Sequence, residues 1–364
     1  MNNSQTPATM NSAAREKKFS RFRGQIISLL VLAPVLLVVM AAAACLGSVN
    51  VPFEHTLGII VSRLLFFLDF SNHSWTGSQA VIIFDVRLPR IVMAALCGAA
   101  LAIAGATYQG LFRNPLADPY LIGVSQGAAF GAVLAIFLPV SWNAFSVWIV
   151  PVFAFSGALL VTFLVYRISI TGNILPTTTL ILAGIALGAF FAAGVSYIIS
   201  ISGNKIGSMV LWLMGSFNSA MWNEVRVTFP IILAGLFILI LFGRSLNIMQ
   251  LGDDQAKQLG LNVERDKKIL LAVSTIIVAA AVSFVGIIGF VGIIIPHAVR
   301  LLWGPDYRFL LPLSVLSGAL FMVTTDIAAR VLFAPAEIPI GVITAACGAP
   351  FFLYLLRKKM KSIF

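Results

Sequence analysis

CGAALAIAGATYQGLFRNPLADPYLIGVSQGAAFGAVLAIF, Cys97 to Phe137, is two apolar runs parted by one short polar break. The break, GLFRNPLADP (Gly110–Pro119), holds Arg113, Asn114, Asp118 and two prolines. With their flanks the runs cover 90–112 and 118–138. Roughly 20 apolar residues suffice for a helix to cross a hydrocarbon core of about 30 Å. A residue before proline is biased out of the helical region, so Asn114 ends one helix and Asp118 can cap the next. The pattern predicts a membrane hairpin with a tight polar turn.

The same reading extends along the chain. Its 364 residues have a mean hydropathy of +1.00 and only 10% are charged, against about 25% in soluble proteins. Further apolar runs occupy 25–47, 145–166, 177–201, 227–243, 309–333 and 338–356. The run 269–303 must hold two short crossings, with Gly286, Gly289 and Gly292 at the reversal. The expectation is an all-α polytopic membrane protein with ten transmembrane helices. Residues 1–24 form a cytoplasmic tail, disordered over 1–20, and 25–364 the transmembrane domain. That tail is too long and polar to open a cleaved signal peptide.

With the N-terminus inside, 18 of the 24 Lys and Arg residues fall in inner segments and 6 in outer ones. This is the asymmetry of the positive-inside rule. Both termini and GLFRNPLADP are then cytoplasmic, and the formal charge of +11 is explained without nucleic acid. Cys45, Cys97 and Cys347 lie in apolar runs and read as buried free thiols, with no metal-ligand spacing. VPFEHTLGIIVSRLLFFLDF (51–70) reads as an interfacial helix, and IGSMVLWLMGSF (206–217) as a re-entrant or interfacial helix too short to cross.

No P-loop, GxSxG or HExxH motif is present, and no pair of carboxylates lies inside an apolar run. Ion-coupled carriers usually place acids at mid-membrane depth. Asp326 is the main candidate here, and it lies toward the outer half of its run. The chain therefore shows no energy source of its own, and a partner should supply the work. The loop LGDDQAKQLGLNVERDKK (251–268) offers a place to dock. Asp253 and Asp254 suit the first turn of a short helix that also carries Lys257. Gly260 suits the position after it, Leu261 follows, and Asn262 can cap a second short helix containing Glu264 and Arg265. An ordinary solvated loop would show a similar pattern.

DVRLPR sets Arg87 and Arg90 just before a span, and Arg330 lies near the outer end of another. These are either interfacial arginines that snorkel or a basic rim that steers an acidic partner. The run 177–201 carries Thr177, Thr178, Thr179, Ser196, Tyr197 and Ser200. Polar groups in lipid need a partner or water, so this run is the candidate lining of a translocation path. His297 sits next to a proline and reads as structural, not as a metal ligand.

Seven stretches in order resemble the FecCD-type permeases, the membrane subunits of binding-protein-dependent ABC importers for iron chelates, haem and vitamin B12. They are RLPR, GAALAIAGATYQGLFRNPLADPYLIGVSQGAAFGA, LILAGIALG, LWLMGSF, QLGLNV, GFVGIIIPHAVRLLWGPDYRFLLP and AEIPIGVITAACGAPFFLYLL. The resemblance covers 25–358 and implies the type II ABC importer permease fold, with ten helices per subunit and short coupling helices. It implies an inner-membrane dimer with a second permease copy, two cytoplasmic ATPases that hold ATP and Mg, and a periplasmic binding protein. The chain itself would be no enzyme and would bind no cofactor. In the family's vitamin B12 importer, outer-face arginines pair with glutamates on the binding protein; the matching positions are Arg87, Arg90 and Arg330. Asp253, Asp254, Lys257, Gly260, Leu261, Asn262, Glu264 and Arg265 match the coupling region. Asn114 and Leu116, with Thr177 and Thr178, match an inner gate. The implied cargo is an iron-siderophore or haem, with vitamin B12 an alternative. A stand-alone secondary carrier or channel is the competing reading, and the lack of mid-membrane acid pairs weighs against it.

Overall fold

A computed structural model of the chain describes residues 7–47, 51–64, 75–138, 146–172 and 174–360. Among these the architecture is helical, apart from one isolated bridge between Thr171 and Ile174. The helices are α1 (Pro7–Cys45), α2 (Phe53–Leu64), α3 (Gly77–Val81), α4 (Leu88–Leu111), α5 (Val124–Phe137), α6 (Ser146–Ser169), α7 (Thr177–Ile201) and α8 (Ile206–Met214). After them come α9 (Trp222–Leu241), α10 (Gly243–Met249), α11 (Asp253–Gln258), α12 (Val263–Val285), α13 (Val291–Trp303), α14 (Tyr307–Val331) and α15 (Ile340–Met360). A π-helical turn, Ile82–Arg87, joins α3 to α4.

Among the described residues, seven helical stretches are long and apolar enough to cross a bilayer: Phe22–Cys45, Gly77–Leu111, Val147–Ser169, Thr177–Ile201, Trp222–Leu241, Val263–Val285 and Tyr307–Val331. Three shorter apolar helices, Val124–Phe137, Val291–Trp303 and Ile340–Leu353, occupy the other places where spans are expected. Three expectations change. Helix α1 already runs from Pro7, through most of the stretch expected to be disordered. The run 118–138 is not one helix: Pro119–Ile122 is a 3-10 turn, Gly123 (φ +82) reverses the backbone, and only then does α5 begin. The run 269–303 is not shared equally. α12 starts at Val263, outside the run, while α13 has 13 residues and spans only about 20 Å. The IGSMVLWLMGSF stretch contains a nine-residue helix, α8, too short to cross, in keeping with expectation. The interfacial segment 51–70 falls partly on α2; its residues 65–70 lie outside the described ones.

Helix α4 is the axis of the bundle, packed by α9, α12, α13 and α14. In the most apolar part of Gly77–Leu111 83% of the residues are buried, against 6% in that of Phe22–Cys45 on α1. The more hydropathic of the two is the less buried, so hydropathy does not decide burial; side-chain size does. A Cβ on Gly98 would lie 2.2 Å from the Gly318 carbonyl oxygen, and one on Gly105 would lie 2.0 Å from that of Gly292. Bare backbones thus let α4 touch α14 and α13 directly, which is how helices gain contact where lipid offers no hydrophobic drive.

The α12–α13 connection, 286–290, is packed within this bundle, with Ile288 buried. Irregular backbone in such a place needs internal hydrogen bonds. Tyr120 supplies them: its hydroxyl donates to Ile288 O at 2.9 Å and accepts from Ile288 N at 3.3 Å.

Candidate functional site

Three structural groups hold the candidate residues. The first is at the end of the bundle that carries Arg113. Helix α4 stops at Leu111, and Arg113 adopts the left-handed region at φ +50, a conformation that costs a non-glycine residue about 1–2 kcal/mol. Asn114 Oδ1 then accepts from Leu116 N at 3.0 Å. Both residues are therefore held in a tight side-chain-closed turn; Asn114 is exposed and Leu116 half-buried. Asp118 Oδ1 accepts from Tyr120 N at 2.8 Å, so it caps the 3-10 turn and not α5. Burial raises the Asp118 carboxyl to about 6, against the pull of that backbone donor. Thr177 and Thr178 open α7 after Pro176, half-buried and exposed respectively. Among the described residues no hydrogen bond or ion pair joins them to Asn114 or Leu116.

The loop 251–268 reaches both stretches. Gly252 (φ +116) and Gly260 (φ +83) bend the chain on either side of α11, as their freedom at positive φ allows. Asn262 Oδ1 accepts from Arg265 N at 3.1 Å. The helix it caps is not short: it is α12, continuous through Val285. Asp253 faces inward, with Oδ1 accepting from Arg113 Nη2 at 3.2 Å and Oδ2 from Lys267 Nζ. Glu264 Oε2 accepts from Leu175 N at 2.9 Å. These two acids, expected to face a partner, instead bind this chain. Leu261 is partly buried against the core. Asp254, Lys257, Gly260, Asn262 and Arg265 remain exposed. So do Leu251 and Leu259, at 56% and 62%. Charge and capping patterns do not single out those two leucines. Their signal was an apolar residue on each side of a polar helix, with little apolar surface on that helix to cover it.

The second group is the outward stripe of α7. Leu180, Gly184, Gly188, Val195 and Ile198 pack inward, while Leu182, Ile185, Phe190, Ser196, Tyr197 and Ser200 are exposed. Ser196 Oγ donates to Ala192 O at 3.1 Å and Ser200 Oγ to Tyr197 O at 2.7 Å. Both hydroxyls are thus satisfied within their own helix, and neither requires water.

The third group corrects the sequence reading. Arg87, Arg90 and Arg330 do not form an exposed rim; all three are buried. Arg87 Nη1 donates to Ala44 O at 2.7 Å and Cys45 O at 3.0 Å. Arg330 donates to Leu46 O at 2.7 Å and Ala43 O at 3.1 Å. Together they cover the carbonyls at the C-terminal end of α1, where a helix dipole attracts cations. Arg90 bridges Asp326 Oδ1 at 2.8 Å and Glu337 Oε2 at 2.9 Å, and Arg330 Nε lies 3.0 Å from Asp326 Oδ2. Arginine beside a span end is interfacial by default. Here Asp326, 236 residues from Arg90 and one helical turn from Arg330, and the open end of α1 draw the arginines inside. Asp326 is likewise an ion-pair partner in this structure. His297 stacks edge-on to Phe351, with ring centroids 6.1 Å apart, and no cluster of metal-binding side chains occurs among the described residues.

A multi-pass helical membrane protein emerges, with a solvent-facing knob tied to two loops at one end and an arginine-locked end opposite. The family comparison narrows the class. The model of the FecCD transport family matches residues 35–358, and the chain belongs to that family. It is 47% identical over 279 residues to the cobalamin import system permease protein of Halobacterium salinarum, covering 77% of this chain and 74% of that one. It is 39% identical over 327 residues to the hemin transport system permease protein of Yersinia pestis, covering 89% and 94%. A solved inward-facing structure of a metal-chelate type ABC transporter superposes with a TM-score of 0.76 at 35% identity, covering 91% of this chain and 98% of the other.

Proposed function

We propose that this chain is the permease subunit of an ATP-driven importer that carries a metal chelate of the iron-siderophore, haem or cobalamin class across the inner membrane. The observation that carries the reading is the knob at 251–268: an exposed surface whose inward side holds both Arg113 and Leu175, the neighbours of the two inner-gate pairs. A motor that moved the knob would move both loops. Two ATPase subunits bound there would hold ATP and Mg, and this chain would contribute no catalytic group. The Arg113 end is then cytoplasmic, with both termini, and the Arg330 end receives the periplasmic binding protein. The three shorter helices complete ten crossings within a homodimer whose path runs along the α7 stripe.

The test is uptake of ferric siderophore, haem and cobalamin, each radiolabelled, into proteoliposomes containing the permease with and without its ATPase and binding protein. Uptake of at least one chelate should require all three components and ATP. Uptake by the permease alone would instead establish a stand-alone carrier.

A further inference from the structure

Lys267 occupies a place that none of the assigned roles uses. It lies in the first turns of α12 and is 3% exposed. Its ammonium donates to Asp253 Oδ2 and lies 3.8 Å from Glu264 Oε1. Glu264 Oε1 is buried and has no hydrogen-bond partner. Each carboxylate holds a different inner loop with its other oxygen: Asp253 holds Arg113 at 3.2 Å, and Glu264 holds Leu175 N at 2.9 Å. One buried cation therefore stands between two acids, bonded to one and within a small displacement of the other. A buried carboxylate oxygen without a donor is costly, so an alternative arrangement in which Lys267 bonds Glu264 has a physical drive. Asp253 belongs to the six-residue surface helix α11, and Glu264 to the first turn of the long helix α12.

We propose that Lys267 is the positioning residue that transmits movement of α11 to both inner loops, by exchanging its hydrogen bond between Asp253 and Glu264. The inference rests on the importer reading. When Lys267 bonds Asp253, that carboxylate is fixed beside Arg113 and the 113–118 turn is held. When Lys267 turns to Glu264, Arg113 is left as the cation on Asp253, α11 is freed from α12, and the hold on Leu175 changes.

The reconstituted transporter, with its ATPase and binding protein, tests this through ATP hydrolysed per chelate imported. Lys267→Met should raise that ratio about tenfold, the scale of an allosteric coupling. Lys267→Arg, which keeps the cation, should stay near wild type. Arg113→Ala, which cuts the Asp253 link from its exposed side, should raise the ratio less. If Lys267→Met fails to assemble, the Arg113→Ala ratio alone decides. An unchanged ratio, with uptake and hydrolysis falling together or neither moving, overturns the proposal and leaves Lys267 a structural ion pair. Uptake by wild type without ATPase would overturn the importer reading instead, a result separable from any ratio.

Discussion

Arg90 Nε meets Asp326 Oδ1 at 2.8 Å, and the aspartate side chain is wholly shielded from solvent. Arg330 lies on its other oxygen at 3.0 Å. Removing the aspartate would leave two buried guanidiniums facing each other. Asp326→Ala should therefore destabilise the protein by about 3–5 kcal/mol, the usual result of stripping one partner from a buried pair. Thermal unfolding in detergent measures it. A loss under about 1 kcal/mol would mean that water reaches these groups. Charge reversal of Arg90 or Arg330 should likewise lower assembled protein, so a docking assay on such variants reports folding first.

The contact between Gly105 and Gly292 is backbone against backbone. A methyl group at Gly105 has no flexible neighbour to push aside. Gly105→Ala should cost about 1–3 kcal/mol through forced separation of α4 and α13. Gly289, where nothing lies within 4 Å, is the control, and Gly289→Ala should leave the melting temperature near wild type. Equal effects at the two sites would show that close backbone approach at Gly105 does not set the cost.

Asp118 titrates at about 6 in the folded chain, above the unfolded value of about 3.9. Between about pH 4 and 6 the folded state thus holds more protons than the unfolded one, and stability falls as pH rises through that window. Asp118→Asn keeps the acceptor for Tyr120 N and removes the charge. Its melting temperature should vary less with pH over the same window, and a profile parallel to wild type would refute the shifted titration.

Leu259 and Leu251 project from a polar knob at 62% and 56% exposure. If an ATPase seats there, Leu259→Asp should weaken its co-purification about tenfold or more, as loss of an apolar anchor does. The melting temperature of the isolated permease should hold. Undiminished co-purification would move the docking surface elsewhere.

Much of this was legible in the sequence because lipid imposes a simple pattern. Run length and proline placement located the helices, and Asn262 declared itself as a cap. The unequal split of 269–303 was not legible, because the polar head 263–268 gives no hydropathic sign that it continues a membrane helix. Neither was the inward turn of Asp253 and Glu264. A carboxylate on a charged loop looks the same whether it faces a partner or, as here, Lys267 and the Leu175 amide. The arginines failed as a rim for a related reason: the carbonyls that hold Arg330 lie 284 and 287 residues away, beyond the reach of any local pattern.

That separation has a consequence for biogenesis. Helix α1 is made long before α14, yet two of the carbonyls at its end wait for Arg330, 284 residues later than Leu46. At about 5–20 residues per second, α1 spends tens of seconds in the bilayer without this fastening, with only a small share of its surface covered by the finished bundle. A chain truncated before Arg330 should leave Cys45 more rapidly labelled by a water-soluble thiol reagent than it is in the full chain with Cys347 replaced. Equal labelling rates would mean that Arg87 fastens α1 unaided. Helix α1 enters the membrane well before the arginine that moors its end has been made.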